Sequence, residues 1–214
     1  MNFADRLRDK LVQEVFTQED VWITFNSHSK QAVHSGISRS LKSNDIVKIK
    51  RGLYAFGKRL RRSGASKFVI ANNLYNPSYV SFESALSFHG LIPEAVYVTT
   101  SACHRRKKKQ FDTPFGEFTF DFVPCSPFFM GVKQLGGKNK ALIANPIKAL
   151  FDLLYMKKKQ LDSLKSLEYD LRIDLEALQE QVNRYTVGEL EILAESYRKR
   201  NIRRLFDILI RTMK

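Results

Sequence analysis

The 214 residues are 43% hydrophobic and 12% aromatic, an apolar content that excludes disorder and suffices for a sizeable core in one or two domains. Thirty-six lysines and arginines face 22 aspartates and glutamates, and the net charge of +14 suits a polyanionic partner. No run reaches the roughly 18 apolar residues of a membrane span, the start MNFADRLRDKL lacks the apolar centre of a signal peptide, and Cys103 and Cys125 alone make neither a disulfide framework nor a four-ligand zinc site. A cytoplasmic protein with no membrane partner, metal or cofactor is expected.

In chain order, Phe3, Leu7, Leu11 and Val15 are spaced for one face of a first helix. A second begins near Thr17, which with Asp20 makes a Thr-x-x-Asp capping pattern, and contributes Val21, Trp22 and Phe25. After the turn Asn26 to Ser29, a third helix is expected from about Lys30 to Ser43, with Val33, Ile37 and Leu41 on its apolar face. Residues 45–57 then read as a hairpin, with Val47 to Lys50 alternating, Arg51 and Gly52 turning, and Leu53 to Phe56 returning. Three helices and a basic hairpin is the order of a winged helix-turn-helix, expected over residues 1–62.

The charge is distributed unevenly. Residues 1–62 hold 13 basic and 6 acidic side chains, half the net excess in less than a third of the chain, and residues 28–62 hold 10 basic residues against Asp45 alone. The third helix's outer face lacks acids and carries short polar and long cationic groups, which can enter a major groove and meet base edges. Ser29, Lys30, Gln31, His34, Ser35, Ser38, Arg39 and Lys42 are the candidate DNA contacts there, with Lys48, Lys50 and Arg51 of the hairpin expected at phosphates. The competing reading is a solvated helix face beside a basic hairpin. RNA modules use stacking rings, and only Tyr54 and Phe56 lie near this basic stretch, which favours duplex DNA.

Beyond a basic linker at Lys58 to Gly64, residues 63–214 read as a mixed α/β domain with a helical C-terminal tail, so that the whole chain is α+β. Helices are expected at Ser66 to Tyr75 and Phe82 to His89, and strands at Val96 to Thr100, around Phe118, Phe120 and Phe122, and at Ala141 to Ala144. Pro146 suits the first turn of a helix bearing Ile147, Leu150, Phe151 and Leu154, with Lys157 to Lys159 at its end. In the tail, Leu175, Leu178 and Val182 form one stripe, and Thr186 with Glu189 makes a capping box.

The strings KRGLYAF (50–56), YVSFESALSFHGLIPE (79–94), TPFGEFTF (113–120) and IANPIKALFDLL (143–154) resemble, in this order, the AbiEi antitoxin family of bacterial type IV toxin–antitoxin and phage-defence systems. With their connections they cover most of residues 40–160, and the second string is the most specific. The resemblance implies an N-terminal winged helix that represses its own operon. It also implies a C-terminal domain that counteracts a nucleotidyltransferase-like toxin, without requiring a stable complex. Where family members usually carry Pro-Glu-Lys-Ala, this chain has Pro146, Ile147, Lys148 and Ala149, so a role that depends on that glutamate does not carry over.

Enzymatic patterns are weak, and no catalytic residue is assigned. Leu135 to Lys138 lacks the spacing of a P-loop. Glu117 and Asp121 share a strand face without a nearby strand lysine, and Lys148 and Asp152, four apart, read as a surface ion pair. His89 reads as a core or capping residue and His34 as a possible phosphate or base contact. His104 beside Cys103 has no second ligand pair. The run Arg105 to Lys109 is either a solvated loop or an auxiliary phosphate-binding loop, and with Lys148 it supplies the candidate surface groups of the second domain. The expected function is a DNA-binding autorepressor and antitoxin; a stand-alone DNA- or RNA-binding regulator is the alternative.

Overall fold

Caps and alternation set the first elements. The computed structural model describes residues 2–136, 140–157 and 163–211. Helix α1 (Phe3–Lys10) starts in a reciprocal capping box between Asn2 and Asp5. It ends where the Arg8 guanidinium bonds the carbonyls of Leu11 and Val12, and Leu11 itself is extended. Val15, expected on this helix, instead opens strand β1 (Val15–Thr17), so the four-residue spacing continued past the helix without extending it. The Thr17–Asp20 box caps α2 (Gln18–Thr24), and Ser29 caps α3 (Lys30–Lys42). Strands β2 (Ile46–Lys50) and β3 (Leu53–Phe56) complete an antiparallel sheet of order β1-β3-β2, with Gly52 turning at φ +78°.

Both faces of this small sheet are buried, on opposite sides. Phe16, Ile46, Tyr54 and Phe56 pack with Ala4, Leu7, Val21, Phe25, Val33 and Ile37 of the helices. Val15, Ile49, Leu53 and Ala55 join the core of the rest of the chain. The expected boundary near residue 62 falls in an irregular connection, yet the parts on either side of it share one core.

That larger part contains α4 (Lys67–Leu74), β4 (Ser78–Val80), α5 (Phe82–Phe88), β5 (Thr99–Cys103), β6 (Lys109–Thr113), β7 (Gly116–Phe122), β8 (Val132–Leu135) and β9 (Ala141–Ala144). Helices α6 (Pro146–Lys157), α7 (Leu164–Leu171), α8 (Leu175–Val182), α9 (Val187–Glu195) and α10 (Arg200–Ile210) follow, making the chain a mixed α and β protein. The sheet runs β6-β7-β5-β4-β9-β8, parallel between β4 and β9 and between β5 and β7, and antiparallel elsewhere. The strand expected at Val96 begins only at Thr99. Phe118 and Phe120 are fully buried, as their alternation implied, whereas Phe122, the third of the series, is only partly buried. Of the lysines expected at the end of α6, Lys158 and Lys159 lie outside the described residues, as do Gly137 and Lys138 of the rejected P-loop. No helix among the described residues is long and apolar enough to cross a membrane.

The expectation of a surface pair at Lys148 and Asp152 is overturned. Every residue of α6 from Pro146 to Leu154 is buried, because the helix packs against α5, α8, α9, α10 and β9. Both charged side chains are wholly without solvent exposure, with Nζ 3.4 Å from Oδ1. Tyr197 donates to Asp152 Oδ1 at 2.5 Å and accepts from Lys148 Nζ at 2.9 Å. Ser81 and Tyr79 donate to the other carboxylate oxygen at 2.6 and 3.1 Å. Lys148 is therefore no surface group, and Ile147 beside it is a core residue.

Removing one partner of a buried pair strands the other charge. Asp152→Ala should lower stability by about 3–5 kcal/mol in urea denaturation, with Lys148 left unneutralised. Lys148→Met should cost less, because three hydroxyls still donate to Asp152. Equal losses in the two variants would mean that the carboxylate's hydroxyl shell does not stabilise its charge.

Candidate nucleic-acid interface

Helix α3 forms because Ser29 accepts the Ala32 amide at its start, while Arg39 and Lys42 stand in its last turn, near the partial negative charge of the helix C-terminus. Its inner side buries Val33, Gly36, Ile37 and Ser40. Glycine in a helix interior has a local cause here: a Cβ at Gly36 would stand 2.4 Å from the Phe3 ring of α1, which itself stacks on Phe25 with centroids 4.5 Å apart. The outer side leaves Lys30, Gln31, His34, Ser35, Ser38, Arg39 and Lys42 exposed, with Ser29 exposed at the cap. His34 meets the edge of Trp22 from α2, at 6.2 Å between centroids, and Arg39 rests against its own helix at the Ser35 carbonyl.

The ten cations of residues 28–62 divide by partner. Arg59 bridges Asp5 and Asp45 at 2.8 and 2.7 Å, which holds both carboxyls below the usual carboxylate range. Arg61 donates to the Phe56 carbonyl and lies over Phe115, and Arg62 donates to the Arg8 carbonyl. Lys30, Arg39, Lys42, Lys48, Arg51 and Lys58 are exposed, and among the described residues none of them has a carboxylate partner.

Lys50 leaves the expected set. The register of β2 on β3 shifts between Lys48, which pairs with Tyr54, and Lys50, which pairs with Leu53. A bulge of this kind turns a side chain to the other face. Lys48 remains exposed, whereas Lys50 is half-buried, donates to the Leu74 carbonyl and stands 5.8 Å from the centre of the Phe111 ring. Burial pushes its ammonium pKa down. The hairpin tip is also tethered, since the Gln18 amide donates to the Gly52 carbonyl at 2.9 Å.

Arg6 of α1, which sequence reasoning passed over, is exposed and lines one cleft of about 410 Å³ with Arg39. Thirty-three positions separate the two in sequence, so only packing brings them together. The remaining candidates stay apart from this surface. Cys103 is buried, with its thiol pushed up in pKa by that burial, and His104 is exposed against Phe128. His89 bonds the Ala144 carbonyl through Nε2 at 2.9 Å, a packing role. Neither a protein-family model nor a curated protein matches this chain.

The Phe3–Gly36 approach sets where α3 sits. Gly36→Ala should destabilise by about 1–3 kcal/mol, as overpacked cores do, despite alanine's better helix propensity. A melting temperature raised by this change would show that α1 and α3 are not in close contact.

Proposed function

We propose that the chain is a duplex-DNA-binding repressor of its own operon, with residues 1–62 acting as a winged helix. Helix α3 reads bases and the β2–β3 hairpin is the wing. The observation that carries this reading is the outer face of α3: acid-free, exposed along its length, and accompanied by cations that have no carboxylate partner among the described residues. Short polar side chains beside Arg39 suit base-edge hydrogen bonds, and Lys30, Lys42, Lys48 and Arg51 suit phosphates. The sheet order β1-β3-β2 behind α2 and α3 supports the same assignment. Against the RNA alternative stands the burial of Tyr54 and Phe56, the rings within the basic stretch; for it stands Trp22 of α2, exposed beside His34.

The resemblance to the AbiEi family extends the proposal to antitoxin activity in the larger part of the chain, directed at a nucleotidyltransferase-like toxin. Its most specific string, residues 79–94, supplies Tyr79 and Ser81 to the cage around Asp152, so that string builds the core first. Co-expression with the toxin encoded beside this chain tests the extension. An Arg39→Ala, Lys48→Ala double variant should still rescue growth while losing its hold on the operator. Loss of rescue together with repression would reduce the protein to a regulator.

Binding of the full chain to its upstream DNA should fall steeply with salt. With Lys58 as a fifth phosphate-facing cation beside Lys30, Lys42, Lys48 and Arg51, the log–log slope should be about −4 to −5 in fluorescence anisotropy. Lys48→Ala should reduce that slope by roughly one, while Lys50→Ala should leave it unchanged and lower the melting temperature instead. Arg39→Ala should erode the preference for operator over random duplex by about 1–3 kcal/mol. A slope near zero, or identical losses on both duplexes, rejects α3 as the reading helix.

A further inference from the structure

A second basic feature lies far from α3 in the chain. The loop after β5, the end of β7, the end of α6 and the turn between α9 and α10 enclose a cleft of about 520 Å³. Arg106 and Lys108 enter it from the loop and Lys199 from the turn, all three exposed. Two of these cations stand over rings that also line the cleft: Arg106 is 5.7 Å from the centre of Phe122, and Lys199 is 5.9 Å from the centre of Tyr155. Asp121, the acid in the lining, is mostly covered and lies 3.5 Å from Lys108. The lysine missing from its own strand is thus supplied by a neighbouring segment.

We infer that this cleft binds a nucleotide, with phosphate held by Arg106, Lys108 and Lys199 and the base laid against Tyr155 or Phe122. Three features select that ligand class. The volume is that of a small-ligand site, which typically runs from about 300 to 1,000 Å³. Cations drawn from two distant segments converge, whereas a merely solvated basic loop would spread its charges outward. Aromatic faces alternate with those cations, which is the combination that holds a base and its phosphate together. The Asp121 carboxylate adds an acceptor for a ribose hydroxyl or an exocyclic amine, at a site where the paired lysine limits its repulsion of phosphate. A smaller cleft of about 250 Å³ shares Asp121 and Met156 with the first and includes Glu83 and Lys157. The same chemistry therefore fits a free nucleotide or one residue of a single strand.

The inference does not depend on DNA binding by α3, and the test separates the two. Full-length protein in about 150 mM salt is titrated into a fluorescent N-methylanthraniloyl derivative of ATP and, separately, into a fluorescein-labelled single-stranded RNA decamer. Saturable binding of the ATP probe alone identifies a free nucleotide, and tighter binding of the decamer identifies a strand; either supports the cleft. Arg106→Ala, Lys199→Ala should weaken the bound probe at least about tenfold. Tyr155→Leu should weaken it about fivefold or more through lost stacking, with the melting temperature of each variant confirming the fold. Arg39→Ala, Lys48→Ala should change nothing. The inference is overturned if the wild type binds neither probe, if the α3 variant weakens binding as much as the cleft variant, or if inorganic pyrophosphate displaces the probe and Tyr155→Leu binds normally.

Discussion

Lys148 and Asp152 lie one turn apart on a helix that touches protein on every side, and the packing of the larger part of the chain depends on how their charges are satisfied. Moving either ion out of water costs several kcal/mol, and the mutual attraction offsets this only when the remaining donors and acceptors are filled. Here they are filled from three places. Tyr79 comes from β4, Ser81 from the start of α5, and Tyr197 from the turn before α10. Burial, and then the charge of Asp152, raise both tyrosine pKa values well above the ordinary value, so the phenols stay protonated and remain donors. Lys148 also faces both rings, at 5.1 and 4.8 Å from their centres. The polar cage thus fixes sheet, central helix and C-terminal helices relative to one another in a way that apolar contact alone would specify less strictly.

The small sheet extends that constraint to the basic N-terminal part. Alternate residues of β1 and β3 serve two cores, so a shift of one residue in register would exchange Phe16 and Phe56 for Val15 and Ala55. Lys50 reinforces the join from the far side of the bulge, bonding the end of α4. On the other side, Phe3 fits the notch left by Gly36 and sets the depth of α3. The exposed face of α3 is therefore a consequence of two packing constraints behind it, rather than an independent surface feature.

Sequence reading succeeded where local chemistry decides structure. The boxes at Thr17–Asp20 and Thr186–Glu189, the faces of α3 and the buried alternation of Phe118 and Phe120 are all present as expected. It failed where pairing partners decide. Strands β1 and β4 have three residues, too few for a period to register, β8 places Lys133 and Gln134 side by side and does not alternate, and β6 lies beside the basic run that masked it. The bulge that separates Lys48 from Lys50 leaves no mark in an alternating string. For Lys148 and Asp152, the four-residue spacing is the same on a surface helix and in a core. The legible signal was the apolar sequence on all sides of them, Ile147, Ala149, Leu150, Phe151, Leu153 and Leu154, since a helix apolar all round is a buried one.

Net charge overstates what a basic protein can offer a polyanion, and the partners of each cation correct the figure. Arg8 lies buried against Glu14 and the Phe56 ring, Arg59 is shared by two aspartates, and Lys50 serves the join between the two parts. Some of the exposed cations, such as Lys67, Lys133, Lys165 and Arg184, lie singly, but two sets lie together. One group follows α3 and the hairpin, and another follows the loop after β5 together with the turn before α10. Because a counterion is released only where a cation can approach a phosphate, these two sets, and not the total of +14, would set the number and position of the contacts proposed to nucleic acid. The first group is accompanied by short polar side chains on a helix narrow enough for a groove, and the second by two rings. On the proposed readings, helix and hairpin suit a duplex read from outside, and cleft and rings suit a single base taken in.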